Sequence, residues 1–286
     1  MTIRLIKTSL KYKEIRKKGK TNLSFFPFFL RNISDKIGKT PLKYPGGKSR
    51  FTSTIDKQLP SQCSEYRECF IGGGSVAIYL TKKYPDLKIW VNDLLEPLAN
   101  FWIQLRDNGE ELHRQVVELR RQHQDPEDVE GLIKGSIQAM QNDSLPPLVR
   151  AVAFYIANRC SFSGLYGTKS MVSSVTNWKE HQCDQLLLYS RLIQNWKITN
   201  LDYKELLCDD DKVFVYLDPP YEISSSNLYG NKGEMHSQFD HDDFAETCNK
   251  SKCLQLISYN ADLNVKARFP DYEQAEFDLT YTMRTT

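Results

Sequence analysis

Residues 65–93 read EYRECFIGGGSVAIYLTKKYPDLKIWVND, and the order of signals in this stretch decides the architecture. Glu65–Phe70 has the pattern of a short strand running into the Gly72-Gly73-Gly74 turn. Ser75–Tyr84 continues with helical spacing and stops at Pro85, which cannot extend a helix. Leu87–Val91 is a second strand, closing on Asn92-Asp93. Strand, glycine turn, helix and strand make a βαβ unit, which predicts a parallel sheet with a right-handed crossover.

Outward from this unit, strand signals return only towards the other end of the chain. Lys197–Leu201 reads as a strand, and Val213–Leu217 (VFVYL) is an unbroken apolar run of the kind a parallel strand buried on both faces requires. Asp240 is placed to cap a helix over 241–250. Leu254–Ser258 is a further strand and Phe277–Tyr281 one more. Between Leu94 and Trp196 the strand pattern almost vanishes. Leu94–Arg106, Gly109–His123, Pro126–Gln141, Leu148–Cys160 and Cys183–Trp196 show helical spacing, with Pro146 and Pro147 suited to a helix start. A Ser-, Gly- and Lys-rich stretch, Ser161–Gln182, separates the last two. The expected organisation is a basic extension over 1–39, a discontinuous α/β domain over 40–96 and 197–286, and a helical insertion over 97–196 carrying a recognition loop.

The 286 residues are 40% hydrophobic and 26% charged, as in an ordinary soluble enzyme. No apolar run reaches the roughly 18 residues of a membrane span. Seven cysteines at irregular spacing form no disulfide framework and fit a reducing, cytoplasmic setting. No Cys or His spacing matches a zinc site, so no metal is expected. The net charge of +2 conceals an asymmetry, because residues 1–50 hold 14 Lys and Arg against Glu14 and Asp35 alone. A basic arm on an acidic body suits phosphate contact; the plainer alternative is a solvated tail. The stretch LSFFPFFL at 23–30, after a basic run, faintly resembles a signal or transit peptide, but it is short, broken by Pro27 and followed by no small-residue cleavage site.

Three motifs carry chemistry. Asp218-Pro219-Pro220-Tyr221 follows VFVYL directly, and in open α/β sheets ligands bind at the carboxyl ends of the strands. Its residue types suit an exocyclic amine, whose lone pair is delocalised into its ring and is a poor nucleophile. The Asp218 carboxylate and the Pro219 carbonyl can each accept one N–H, holding the nitrogen in line with a methyl donor. Tyr221 can stack on a base, worth about 1–3 kcal/mol. The plainer reading is a rigid Pro-Pro turn. The second motif is Phe70-Ile71-Gly72-Gly73-Gly74, with Asp93 at the next strand end. Its glycines let backbone approach a ligand at a helix N-terminus, and the acid can take ribose hydroxyls. A dinucleotide site reads almost the same way, although Ala77 stands where G-x-G-x-x-G needs its last glycine. Beside Asp218–Tyr221, the balance moves to S-adenosylmethionine. Third is Lys43-Tyr44-Pro45-Gly46-Gly47-Lys48, by itself a turn in basic surroundings, placed just ahead of the first strand.

In order and spacing, from about Pro41 to Met283, these motifs resemble those of the Dam-like, D12-class adenine-N6 DNA methyltransferases. Lys43–Lys48 is similar to their K-W-x-G-G-K, Phe70–Gly74 to F-x-G-x-G, and Asp218–Tyr221 to D-P-P-Y. The resemblance implies an α/β, Rossmann-like S-adenosylmethionine-dependent methyltransferase fold with a helical target-recognition insertion, acting on double-stranded DNA as a monomer or weak dimer. It implies that Asp218, Pro219 and Tyr221 are catalytic, gathered around a flipped-out adenine. The implied cofactor site is Lys43, Tyr44, Gly47, Lys48, Phe70, Gly72, Gly74, Asp93 and Asp202, with Asp93 on the ribose and Asp202 near the cofactor adenine. Asn158–Leu165 is similar to the family's N-R-x-x-[YF]-x-G-L element. That likeness implies DNA contacts from Arg159, Phe162 and Ser163, with Phe162 filling the gap beside the extruded base. Gly167 stands where the GATC-specific branch carries Arg, so GATC is not assigned.

The family's sheet closes with a hairpin whose last strand inserts among the others. The chain stops at Thr286, just after Phe277–Tyr281, so that strand is expected to be missing. Cytosine-C5 methylation needs a nucleophilic cysteine, typically after proline, and no Pro-Cys pair is present. N4-cytosine enzymes more often carry Ser-Pro-Pro-Tyr. The resulting expectation is a site-specific adenine-N6 DNA methyltransferase. Its alternatives are a catalytically inactive DNA-binding remnant of the same family and, more remotely, an NAD-linked oxidoreductase. A cognate restriction enzyme would be a natural partner, and nothing in the sequence identifies one.

Overall fold

The computed structural model describes residues 2–7, 36–161, 178–222 and 239–277. Its seven strands are β1 (Thr2–Lys7), β2 (Glu65–Glu68), β3 (Lys88–Asn92), β4 (Lys197–Thr199), β5 (Val213–Leu217), β6 (Leu254–Asn260) and β7 (Glu273–Phe277). They form one sheet of order β4-β3-β2-β5-β6-β1-β7. β2 pairs in parallel with both β3 and β5, β3 with β4, and β5 with β6. Helix α2 (Ser75–Lys83), preceded by the short α1 (Thr52–Asp56), makes the crossover from β2 to β3. The sheet grows from β2 towards β4 on one side and from β5 towards β6 on the other. The crevice beyond the carboxyl ends of β2 and β5 is thus the switch point at which such sheets take ligands.

Four helices follow the expected boundaries closely, α3 (Glu96–Asp107), α4 (Gly109–Gln122), α5 (Pro126–Met140) and α6 (Pro147–Cys160), whereas α7 (Glu180–Leu192) begins three residues before and ends four residues before the expected Cys183–Trp196. Proline in the first turn of α3 and of α6 fills a position whose N–H has no helical acceptor. α8 (His241–Lys250) begins at Asp240, whose side chain accepts from the amides of Asp242 and Asp243, and α9 (Leu263–Arg268) follows β6. The strands bury both faces. On one face Tyr66, Phe214 and Leu256 pack in a continuous core with Phe101 and Trp102 of α3, Phe154 of α6 and Leu186 of α7. On the other, Val215 and Ile257 pack with Phe244 of α8 and Val265 of α9. The insertion therefore shares its core with the sheet.

The start of the chain departs from expectation. Residues 1–39 read as a basic extension, yet Thr2–Lys7 lies inside the sheet, antiparallel to β6 on one side and to β7 on the other. Ile3, Leu5 and Ile6 are buried, each contributing about 1.5–3 kcal/mol of hydrophobic stabilisation. Lys7 Nζ donates to the carbonyls of Cys248, Asn249 and Ser251 at 2.9, 2.7 and 2.6 Å. A cation there satisfies the acceptors left open at the end of α8 and complements the helix dipole. β1 thus occupies the antiparallel position expected to be empty, on which the inactive-remnant alternative rested. The last strand also begins earlier than Phe277–Tyr281; residues 278–281 lie outside the described residues.

Candidate active site

β2 ends at Glu68, and the chain turns through Gly72 (φ 47°) and Gly74 (φ 69°), left-handed conformations that glycine adopts without strain. A Cβ at Gly72 would lie 2.7 Å from Tyr44 Cε1, and one at Gly74 2.7 Å from Trp102 Cζ2. The turn is therefore wedged between the Lys43–Lys48 loop and α3. Asp93, just past β3, braces it: the Gly72 amide donates to Oδ2 and the Leu95 amide to Oδ1, both at 3.1 Å. Burial pushes the Asp93 carboxyl up to about 6, against the pull of the backbone donors.

Asp218 faces this turn from the end of β5, whose five residues are all buried. Lys48 Nζ donates to Asp218 Oδ2 at 2.6 Å and to the Gly46 carbonyl at 2.9 Å. It also lies 5.2 Å from the centroid of the Tyr221 ring, which stacks on Tyr259. Burial raises the Asp218 carboxyl above the usual range, while the Lys48 ammonium and then the Tyr221 hydroxyl oppose it. Asp218 Oδ1 is buried and no described donor meets it in good hydrogen-bond geometry, the Tyr221 hydroxyl being the neighbour that also interacts with this carboxylate. Close by, Glu68 accepts from Tyr66 Oη at 2.9 Å and the Ala77 amide at 3.1 Å. Its full burial pushes it to about 8.

Two adjoining cavities open onto the crevice and share Phe70, Asp93 and Pro220 as walls. The first brings together Tyr44, Gly47, Lys48, Gly72, Gly74 and Asp218. The second contains Asp202, which also caps the 3-10 turn Tyr203–Leu206 by accepting from the Lys204 amide. Sequence reasoning missed Glu68, Pro220, Tyr203 and Phe239. Pro219 is buried, and it is Pro220 that lines both cavities. Tyr203 and Phe239 pack on Phe70 with ring centroids 5.7 and 6.0 Å away.

Tyr221, like Pro219, lines neither cavity, and two further expected site residues are placed elsewhere. Lys43 lines neither cavity; its Nζ donates to the carbonyls of Arg159 at 2.6 Å and Ser161 at 3.3 Å, at the end of α6. Burial brings its pKa down to about 8. The Asn158 side chain fastens the same residue, accepting from the Lys43 amide at 2.9 Å and donating to its carbonyl at 2.7 Å. Arg159, expected on DNA, is buried and donates to the Pro41 carbonyl at 3.4 Å. The last turn of α6 packs against the motif loop, so this guanidinium faces inward. Phe162 and Ser163 lie outside the described residues.

Among the described residues, no helix is long and apolar enough to cross a membrane, and no three His, Cys, Asp or Glu residues are grouped to hold a metal ion. All seven cysteines are free.

Comparison with known proteins gives this geometry its context. The type II methyltransferase M.MjaIII of Methanocaldococcus jannaschii is 27% identical over 199 residues, covering 63% of this chain and 68% of the relative. The type II methyltransferase M1.LlaDCHI of Lactococcus lactis subsp. cremoris is 28% identical over 215 residues, 70% and 73% of the two chains. The DNA adenine methylase of Haemophilus influenzae is 24% identical over 245 residues, 81% and 83%. The profile of the D12 class N6 adenine-specific DNA methyltransferases matches residues 44–283, a span that begins in the Lys48 loop and runs past both cavities. A match across so much of the sequence, over motifs that the fold gathers at one switch point, means that the chain belongs to the D12 class N6 adenine-specific DNA methyltransferase family.

Proposed function

We propose that the protein transfers a methyl group from S-adenosylmethionine to N6 of an adenine flipped out of double-stranded DNA, with Asp218 Oδ1 receiving the amine. The observation that carries this reading is a buried carboxylate oxygen with no donor in good hydrogen-bond geometry, in the wall of the first cavity, beside a half-buried aromatic ring. An unmet acceptor in a buried place is expensive, and an exocyclic N–H would satisfy it.

The residues present fit the cofactor. The glycine turn forms a cradle that a Cβ at Gly72 or Gly74 would fill. The amide ends of α2 face the first cavity, and Asp93 and Asp202 give the two cavities hydroxyl acceptors. When bound, S-adenosylmethionine supplies an electrophilic methyl group. The chain's own residues do the rest. Asp218 orients the amine and favours its pyramidal form, and it can hold the proton that the nitrogen sheds. Lys48 keeps Asp218 ionised until then. Tyr221, braced by Tyr259, offers a face to the base. Phe162 is assigned, from the family resemblance, to fill the space the base leaves. One copy of the chain supplies every motif residue, which supports action as a monomer.

Asp218→Ala tests the assignment. Tritium transfer from S-adenosylmethionine to DNA should be abolished while cofactor affinity stays within a few fold, because the lost contact strengthens only in the transition state. Turnover above a tenth of wild type would remove Asp218 from the role. Sequencing DNA from cells expressing the wild type, with modification detection, gives the target site.

A further inference from the structure

β1 brings a buried charged side chain, from a distant part of the chain, beside the segments that carry Lys48 and Asp218. Arg4 is 4% exposed and stands in register opposite Ser258 of β6. Ser258 Oγ hydrogen-bonds Tyr216 Oη at 3.0 Å, and Tyr216 precedes Asp218 by two residues at the end of β5. On its other side the Arg4 guanidinium lies 5.3 Å from the ring centroid of Phe51, the residue that opens α1, three positions after Lys48. Arg4 therefore stands between the two segments whose ends meet in the Lys48–Asp218 ion pair. Burial lowers its affinity for its proton, and the Tyr216 and Tyr221 hydroxyls oppose that effect.

We propose that Arg4 is a positioning residue for methyl transfer, tying the Lys48 loop, through Phe51, to the Asp218 strand, through Tyr216. The proposal rests on the reading of Asp218 as amine acceptor. For packing alone, an apolar side chain would serve a strand paired on both edges better than a guanidinium that must be stripped of water. A planar cation has what the place needs: a flat face for Phe51 and a charge that stays near the tyrosine hydroxyls. A shift of Arg4 would move Phe51, and with it Lys48, relative to Asp218, while Asp93 keeps its hydrogen bonds to the Gly72 and Leu95 amides.

The test uses the full-length protein, tritiated S-adenosylmethionine and unmethylated plasmid DNA. Arg4→Met should lower the single-turnover rate about 10- to 100-fold, the range expected when reacting groups are misplaced by about 1 Å. The Kd for S-adenosylhomocysteine and the KM for DNA should stay within about twofold, the signature of a contact that matters only in the transition state. Lys7→Met is the control, because it weakens the same strand without touching the crevice. It should lower the melting temperature and leave the rate of the folded protein unchanged. Phe51→Leu removes the other end of the link and should reproduce the rate loss at unchanged cofactor affinity, so the proposal stays testable even where Arg4→Met does not fold. Wild-type rates in Arg4→Met or in Phe51→Leu would overturn it. So would equal losses of rate and cofactor affinity, or a matching rate loss in Lys7→Met. A wild-type protein that transfers no methyl group would instead refute the reading of Asp218.

Discussion

Replacing Lys48 with Met keeps most of the side-chain stem and removes the charge that faces Asp218 at 2.6 Å. Unit charges about 3 Å apart in an effective dielectric of about 20 attract by roughly 5 kcal/mol. That is a ceiling, because Lys48 also donates to the Gly46 carbonyl and Asp218 keeps 19% of its side-chain exposure. A carboxylate that loses a cationic neighbour typically moves up by about 1–3 pKa units, or about 1.4–4 kcal/mol. Burial already holds Asp218 above its unfolded value, so the variant raises it further. Single-turnover methyl transfer measured from about pH 5 to 9 should show its acid limb displaced upward by about 1–3 units, with partial recovery at high pH. Stability has a definite sign as well. A folded state that binds the extra proton loses stability as pH rises between the unfolded and folded pKa values, and the loss is complete above the folded one. The variant should therefore be destabilised by up to about 3 kcal/mol near neutrality and less in acid. A uniform rate loss with an unmoved acid limb would refute the argument, because Asp218 would then not need Lys48 to remain ionised.

Asp93→Ala should weaken S-adenosylmethionine binding by about 1.5–3 kcal/mol in calorimetry, and wild-type affinity should fall as pH drops through about 6, where Asp93 takes up a proton. Gly74→Ala forces a side chain into the left-handed region and against Trp102; chemical denaturation should show a loss of at least about 1–2 kcal/mol. Glu68, held near 8 by burial, makes the wild type less stable as pH rises from its unfolded value towards 8. The stability of Glu68→Gln relative to wild type should therefore grow over that interval and then level off; a pH-independent difference would count against it.

The parts of the fold visible in the sequence are those whose information is local. Val213–Leu217 is apolar at every position because both of its faces are covered, and the Gly72–Gly74 turn interrupts a strand and a helix whose patterns are unmistakable. Asp218 and the cavity-lining residues of the Lys48 loop follow from motif order. β1 was hidden because its partners are remote. Its six residues sit among many lysines and arginines, and cover on both faces leaves no single-face alternation to notice, since Arg4 is buried as well as Ile3. Glu68 was hidden for a related reason: a glutamate in a short strand reads as solvent-facing, and only its place two residues from Tyr66, on the same face, hinted that it points inward. Lys43 and Arg159 show the opposite failure. Their motif positions were legible, yet what a long cation reaches depends on which helix end packs beside it, and here that is the end of α6.

The strand at Thr2–Lys7 also has a consequence for the order in which the protein is made. Lys7 and Cys248, in contact at the end of α8, are 241 positions apart. At about 5–20 residues per second of synthesis, the ribosome releases β1 roughly 12–50 s before its neighbours exist. Throughout that time the strand has neither of its partners, and its apolar residues have no core to enter. Sheet completion thus waits on the closure of a very long loop, a slow step for any non-local pairing.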